Sequence, residues 1–446
     1  MLEVADGPRW STEQVLALAP DAAAQKAARG LATARPWQET GYAAGGDPPS
    51  VWGLCRGSGS KPYQVCVDLA EPAYRCSCPS RKFPCKHALG LLLWWSQGAV
   101  APGEPPAWVK EWHAGRAARA QRSAAAATAA RGPVSAGTQA RRAERVRPGL
   151  DELDRWLADQ VRHGLAGQVR HGLAGLARAG YGHWEAMAAR LVDAQAPGAA
   201  GMVRRLASAA TDPTGERLLA ELSLLRLLVS AYRRIDALPP DLAATVRSRV
   251  GLPVSTEEVL ITAAVRDRWQ VLGLRDHVEE RLTTRRVWLR GADTARWALV
   301  LSFAAPGQTV AADLVPGSVV DADLCFFPGA QPLRALVAQR HGPPGAATAP
   351  AGGSAADALG EYAAVLAADP WLDRWPVLVT GVLTISAAGW HLLDRMGAAL
   401  PIDLVGGEPW RLLAAGGGGP VTVAGEWSPS GLRPVSGWIG GRLVRS

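Results

Sequence analysis

The stretch "CSCPSRKFPCKH" (76–87) holds three of the chain's six cysteines together with one of its eight histidines. Its spacing is Cys76-x-Cys78, six residues, then Cys85-x-His87, which offers three thiolate sulfurs and one imidazole nitrogen. That is a complete tetrahedral set for a borderline-soft ion such as Zn2+. A catalytic zinc keeps one position open for water, so the closed set predicts one structural Zn2+ rather than a hydrolytic centre. Disulfides compete poorly. Cys76 and Cys78 are too close in sequence to pair without strain, and Cys85 has no evident partner.

On the N-terminal side, "SVWGLC" (50–55) and "PYQVCVDL" (62–69) alternate at period two, and "RGSGSK" (56–61) between them carries the glycines of a hairpin turn. On the other side, "ALGLLLWW" (88–95) is an apolar helix whose Leu89, Leu92 and Leu93 can pack on the hairpin. Cys76 and Cys78 then lie on an extended turn, with Cys85 and His87 at the start of the helix. Over about residues 50–95 this pattern resembles the SWIM-type zinc finger, and the resemblance places the four metal ligands on Cys76, Cys78, Cys85 and His87 with no departure in type or order. The whole chain also resembles a group of uncharacterised bacterial SWIM finger proteins with a long C-terminal region, which implies no particular activity. A ββα unit of this size has a small core, so metal is expected to supply much of its folding free energy.

Arg75, Arg81, Lys82 and Lys86 surround the ligands. Such a loop suits a phosphate backbone, and it equally suits neutralisation of a cluster whose three thiolates and one Zn2+ carry a net negative charge. The chain has only five lysines, and two of them fall here. Cys55, Cys66 and Cys325 lack ligand-type neighbours and read as small buried hydrophobes. "GSGSK" (57–61) lacks the glycine before Lys61 and has Pro62 where a phosphate loop needs Ser or Thr, so it reads as a turn.

The net charge of +8 is unevenly spread. Basic minus acidic residues give +2 over 1–110 (11 against 9), +6 over 111–149 (8 against 2) and 0 over 150–446 (29 each). Residues 111–149 are rich in Ala, Arg and Gly without apolar periodicity and read as a mobile linker. It is either a solvated tether or a phosphate-binding arm carrying Arg141, Arg142, Arg145 and Arg147. From 150 to about 265 apolar residues recur three and four apart, as in "GERLLAELSLLRLLVSAYRRI" (215–235), which predicts a helical bundle. A perfect repeat, "QVRHGLAG" at 160–167 and 168–175, lies inside it. Eight residues are too few for a structural repeat, so this reads as an inserted duplication that brings His163 and His171 with it rather than a metal pair.

From 266 to 446 the signals are β: "RRVWLRG" (285–291), "RWALVLSFA" (296–304), "TVAADLV" (309–315), "VVDADLCFF" (319–327), "WPVLVTGVLTI" (375–385), "VTVAGEW" (421–427) and "GLRPVSGWIGGRLV" (431–444). They predict sheets or a partly open barrel, interrupted by a low-complexity loop at 342–355, with "AAGGGGP" (414–420) read as a turn after a strand. Most of the 18 tryptophans belong to cores. Asp321 and Asp323 share a strand face without an evident partner, and no catalytic constellation emerges, so the chain reads as a non-enzyme. The fold class is α+β multidomain: an N-terminal domain with the finger (1–110), the linker (111–149), the helical region (150–265) and the β-rich region (266–446).

The first functional reading is a zinc-binding nucleic-acid module for DNA or RNA. The second is a protein adaptor docking through the neutral 150–446 body, with the finger purely structural. "MLEVADGPRW" (1–10) has no basic n-region before an apolar stretch, and the apolar run 218–232 contains Glu221 and Arg226. A cytoplasmic, membrane-free protein is therefore expected. The Ala, Arg and Gly bias points to a GC-rich bacterial genome.

Overall fold

A computed structural model describes residues 10–446 except 11, 20, 44–48, 58–60, 70–72, 81, 83, 117–135, 167–180, 213–214, 280–281, 306–309, 311–312 and 406. At the N-terminus the alternating segments form an antiparallel meander, β1 (Trp37–Ala43), β2 (Ser50–Cys55), β3 (Tyr63–Asp68) and β4 (Ala73–Cys76), in chain order. The expected hairpin is its central pair. Two short helices, α1 (Thr12–Ala17) and α2 (Ala22–Arg29), precede it, and α3 (Lys86–Ser96) follows. Helix α3 is apolar around most of its circumference, which is the pattern of a buried helix. Ala88, Leu89, Leu91, Leu92, Leu93 and Trp95 are all buried, against Val15, Ala28, Trp37, Val51 and Val65. Gly90 lets the chain after α2 come close, since a Cβ there would stand 2.6 Å from that of Leu31.

The finger is thus embedded in a larger domain core that includes α1, α2 and β1, beyond the ββα unit expected from the sequence.

Residues 107–116 are helical (α4), and α5 (Ala136–Ala166) begins well before the expected end of the linker. Val146, Leu150, Leu153 and Leu157 place one apolar row of α5 in the bundle core. Before residue 150 the helix is mostly Ala, Arg and polar residues, with Pro148 inside it, so only Val146 marks the apolar row there. Of the 111–149 linker, only 117–135 lies outside the described residues, so Arg142, Arg145 and Arg147 stand on a helix rather than a mobile arm. The bundle continues with α6 (Tyr181–Asp193), α7 (Pro197–Ala209), α8 (Glu216–Arg233) and α9 (Pro240–Val250), and a short α10 (Thr256–Leu260), begun by a capping box of Ser255 and Glu258, leads into the β-rich region. Helix α5 runs through the first copy of the octapeptide as far as Ala166; the second copy, with His171, and the side chain of His163 lie outside the described residues.

The β-rich region is two five-stranded barrels in tandem. In the first, β5 (Val265–Glu279), β6 (Leu282–Gly291) and β7 (Trp297–Ala304) form a meander; β8 (Ser318–Phe326) pairs antiparallel with β5, and β9 (Arg334–Arg340) closes the ring, antiparallel to β8 and parallel to β7. Trp269, Val271, Val287, Leu289, Val320 and Leu324 fill it. A short β10 (Gly345–Ala346) joins β8, and α11 (Ala355–Ala368) leads onward.

The second barrel repeats the order: β11 (Trp375–Ser386), β12 (Gly389–Asp394), β13 (Ala399–Pro401), helix α12 (Trp410–Gly416), β14 (Val421–Ser428), β15 (Gly431–Ile439), with β16 (Arg442–Arg445) added to β15. It closes through a parallel bridge between Ile402 and Leu432, where Asp403 N–H donates to Leu432 O at 2.8 Å.

Four expectations change here. The described part of 309–315 is a turn that buries Leu314 and Val315, not a strand. The loop at 342–355 contains β10 and the Ser354 cap of α11. The run before the "GGGG" turn is helix α12, not a strand. Asp321 and Asp323 have partners after all, Arg266 at 3.1 Å and His341 at 2.8 Å.

Helices α7 and α9 meet where α7 offers Gly198: a Cβ there would lie 2.2 Å from Arg249 O and 2.8 Å from Gly251 N, both backbone atoms that cannot rotate away. Gly198→Ala is expected to destabilise the bundle by about 1–3 kcal/mol, the usual cost of overpacking. An unchanged urea midpoint would contradict this contact.

Candidate metal centre

Strand β4 ends on Cys76, Cys78 follows in the turn, Cys85 is the N-cap of α3 and His87 its second residue. The four ligating atoms all lie within 4.8 Å of one another, with Cys76 Sγ 3.8 Å from His87 Nδ1. A zinc tetrahedron with Zn–S near 2.3 Å has sulfur–sulfur edges of about 3.8 Å, so the set fits the ion with little adjustment. Cys85 and His87 are buried and Cys76 and Cys78 half-buried. Tyr63 of β3 lies against the His87 ring at 5.1 Å between centroids and fixes its plane.

The backbone N–H groups of Cys78, Ser80 and Ala88 favour the thiolate forms of Cys76, Cys78 and Cys85 respectively. Hydrogen bonding from Cys76 is the main reason the Cys85 thiol is held down at about 4; for the same reason Cys76 is pushed up. Among the described residues this is the one group of three or more His, Cys, Asp or Glu arranged to hold a metal ion.

The basic residues of the finger point elsewhere. Lys82 pairs with Asp21 at 2.7 Å, the residue that caps α2, and holds its carboxyl below the usual range. Arg75 donates to Trp108 O at 3.1 Å and stacks over the Trp108 ring of α4. Lys86 is exposed in the first turn of α3. Arg81 lies outside the described residues, as does the side chain of Arg141; Arg145 and Arg147 are exposed on α5, with Arg142 half-buried between the same turns. The structure thus splits the expected contact residues between the finger and the bundle. Asp21, Tyr63 and Trp108 were not singled out in the sequence. Only Asp21 leaves a trace there, as an N-cap before the Ala-rich α2. Cys55, Cys66 and Cys325 are buried free thiols as expected, with burial pushing Cys55 up to about 11.

A closed Cys3His set between a strand end and a helix start defines a structural zinc finger. Residues 65–93 match the model of the SWIM zinc finger, and residues 141–168 and 165–250 that of the SWIM-associated four-helix bundle domain. The chain thus carries a SWIM zinc finger and the helical bundle domain that accompanies it. The two bundle segments overlap at 165–168, within the octapeptide duplication, as expected if an insertion interrupts the domain there. Comparison with curated proteins and with solved structures found no match to the chain.

Purified protein is expected to carry one Zn2+ per chain by elemental analysis, and Co2+ in its place should give the strong absorption of a tetrahedral thiolate site. Cys85→Ser should abolish both, and acidification should release the metal because protons compete for the sulfurs. Retention of a full zinc equivalent by Cys85→Ser would exclude this ligand set.

Proposed function

We propose that this protein binds nucleic acid, with the zinc as a structural element and the basic surface of the finger meeting the phosphate backbone. The observation that carries this reading is that Lys82 and Lys86 both stand exposed on the surface of the finger beside the ligand set. Lys86 is exposed, and Lys82 is tied only by a solvent-exposed pair with Asp21, a contact that salt screens and a phosphate can replace. Arg145 and Arg147 add a second basic strip on a rigid helix. No helix among the described residues is long and apolar enough to cross a membrane, and a cytoplasmic site of action is part of the proposal.

Anisotropy with labelled single- and double-stranded DNA and RNA tests it. Affinity should fall linearly with salt on a log–log plot, and Lys82→Ala with Lys86→Ala should reduce the slope by about 2 on duplex if both meet phosphates. Arg145→Ala with Arg147→Ala measures the α5 strip separately. No binding at about 50 mM salt, where nonspecific attachment is strong, would defeat the proposal in favour of a protein adaptor working through 150–446.

A further inference from the structure

We infer that the cleft between the two barrels and the helical bundle is a second site, built to hold nucleotide phosphates from a single-stranded nucleic acid or a free nucleotide. The topology indicates where to look. Both barrels run in the five-stranded Greek-key order of OB-type barrels, in which strands two and three and the loops joining strands one to two and four to five take oligonucleotides. In the first barrel strands two and three are β6 and β7, and the loop joining strands four and five is 327–333. A cavity of about 620 Å3 lies on those elements: Thr284 and Arg286 come from β6, Leu299 from β7, and Phe327, Pro328 and Pro332 from the loop. That size is in the ordinary range of small-ligand pockets. The second barrel closes one side with Glu426 and Arg433, and the bundle another with Thr245 and Arg249.

The charge of the cleft argues for an anion. Arg249 pairs with Asp369 at 2.8 Å and Arg286 with Glu426 at 3.1 Å, while Arg374 and Arg433 share Asp403. The remaining lining carboxylate, Asp373, faces Arg205 outside the cleft at 3.9 Å. Among the described residues, two lining arginines form no ion pair: Arg275 donates to the carbonyls of Pro434 and Val405, and Arg334 lies over the Phe327 ring at 4.0 Å. Arg275 is held below the usual arginine range by burial and by Arg433, against the opposing pull of Glu426 and Asp403. A half-buried Arg275 and an exposed Arg334 without ion-pair partners, where three modules meet, are a place for phosphate oxygens, which arginine grips in bidentate fashion. The apolar wall of Leu299, Phe327, Pro328 and Pro332 then offers a surface for a base.

The choice of nucleotide chemistry rests on the nucleic-acid reading above, but the site shares no residue with the finger. The test uses the full zinc-loaded chain and a labelled oligothymidylate of about 12 nucleotides, within the span of an OB barrel, with thymidine monophosphate and inorganic phosphate as competitors. Arg334→Glu is the main variant because its side chain is exposed; Arg275→Gln is the second. Both are expected to weaken binding about tenfold or more, the loss of one charge-assisted contact, whereas Lys82→Ala with Lys86→Ala leaves single-strand affinity within about twofold. Competition by the mononucleotide as strong as by an unlabelled oligomer would identify the free nucleotide as the ligand; competition by the oligomer alone identifies the strand. If Arg334→Glu binds both ligands like the parent protein, or if the parent protein binds neither, the inference is overturned. Loss of binding in the finger variants with the cleft variants unaffected would overturn it while leaving the finger reading intact, and the reverse pattern would do the opposite.

Discussion

The carboxylate of Glu426, 2% exposed, accepts from Trp288 Nε1 at 2.9 Å and pairs with Arg286, so strand four of one barrel is bonded to strand two of the other. A buried charge is tolerated only when fully met, and removing one partner leaves a desolvated ion. The arrangement of the C-terminal half follows from this bond. It needs the backbones close, and the bulge in β5 between Val271 and Gly273 provides that. Leu272, between them, is buried in the core of the second barrel, and a Cβ on Gly273 would stand 2.6 Å from Val435 Cγ1. Ser436 Oγ then reaches Leu272 O, and Trp288, Leu299 and Val435 form a small apolar cluster. Because the second barrel covers only part of the β6–β7 face, the remainder stays open as the cleft.

In the N-terminal domain the metal and the hydrophobic core act on one element. Helix α3 carries two of the ligands at its first turn and the central apolar side chains along its length. The core sets where the helix lies, and the chelate sets its register against the end of β4.

The metal set was legible in the sequence because ligand chemistry is local: four residue types at fixed short spacing leave few alternatives. The bundle was legible from its 3.6-residue period, except in the part of α5 before residue 150, where Val146 alone enters the core among Ala and Arg. The barrels were legible only as strands. Their closure depends on β7 meeting β9 in parallel and on Ile402 meeting Leu432, contacts between distant segments that no local pattern records. The cleft was invisible for the same reason, since Arg249, Arg275, Arg334 and Arg433 come from four elements and are adjacent only in space. In a chain with so many arginines, none of them stands out alone.

Trp371, in the link between α11 and β11, inserts into the core of the helical bundle, and its indole N–H donates to Leu224 O at 2.9 Å. An indole is among the largest apolar groups a side chain can bury, and this one is carried by the segment that begins the second barrel. The bundle cannot lose its packing without exposing it, nor can that link move away without opening a hole among the helices. The cooperative unit of this protein is consequently larger than any one of its domains. A change in the stability of the second barrel is transmitted to the bundle as a change in its own opening equilibrium.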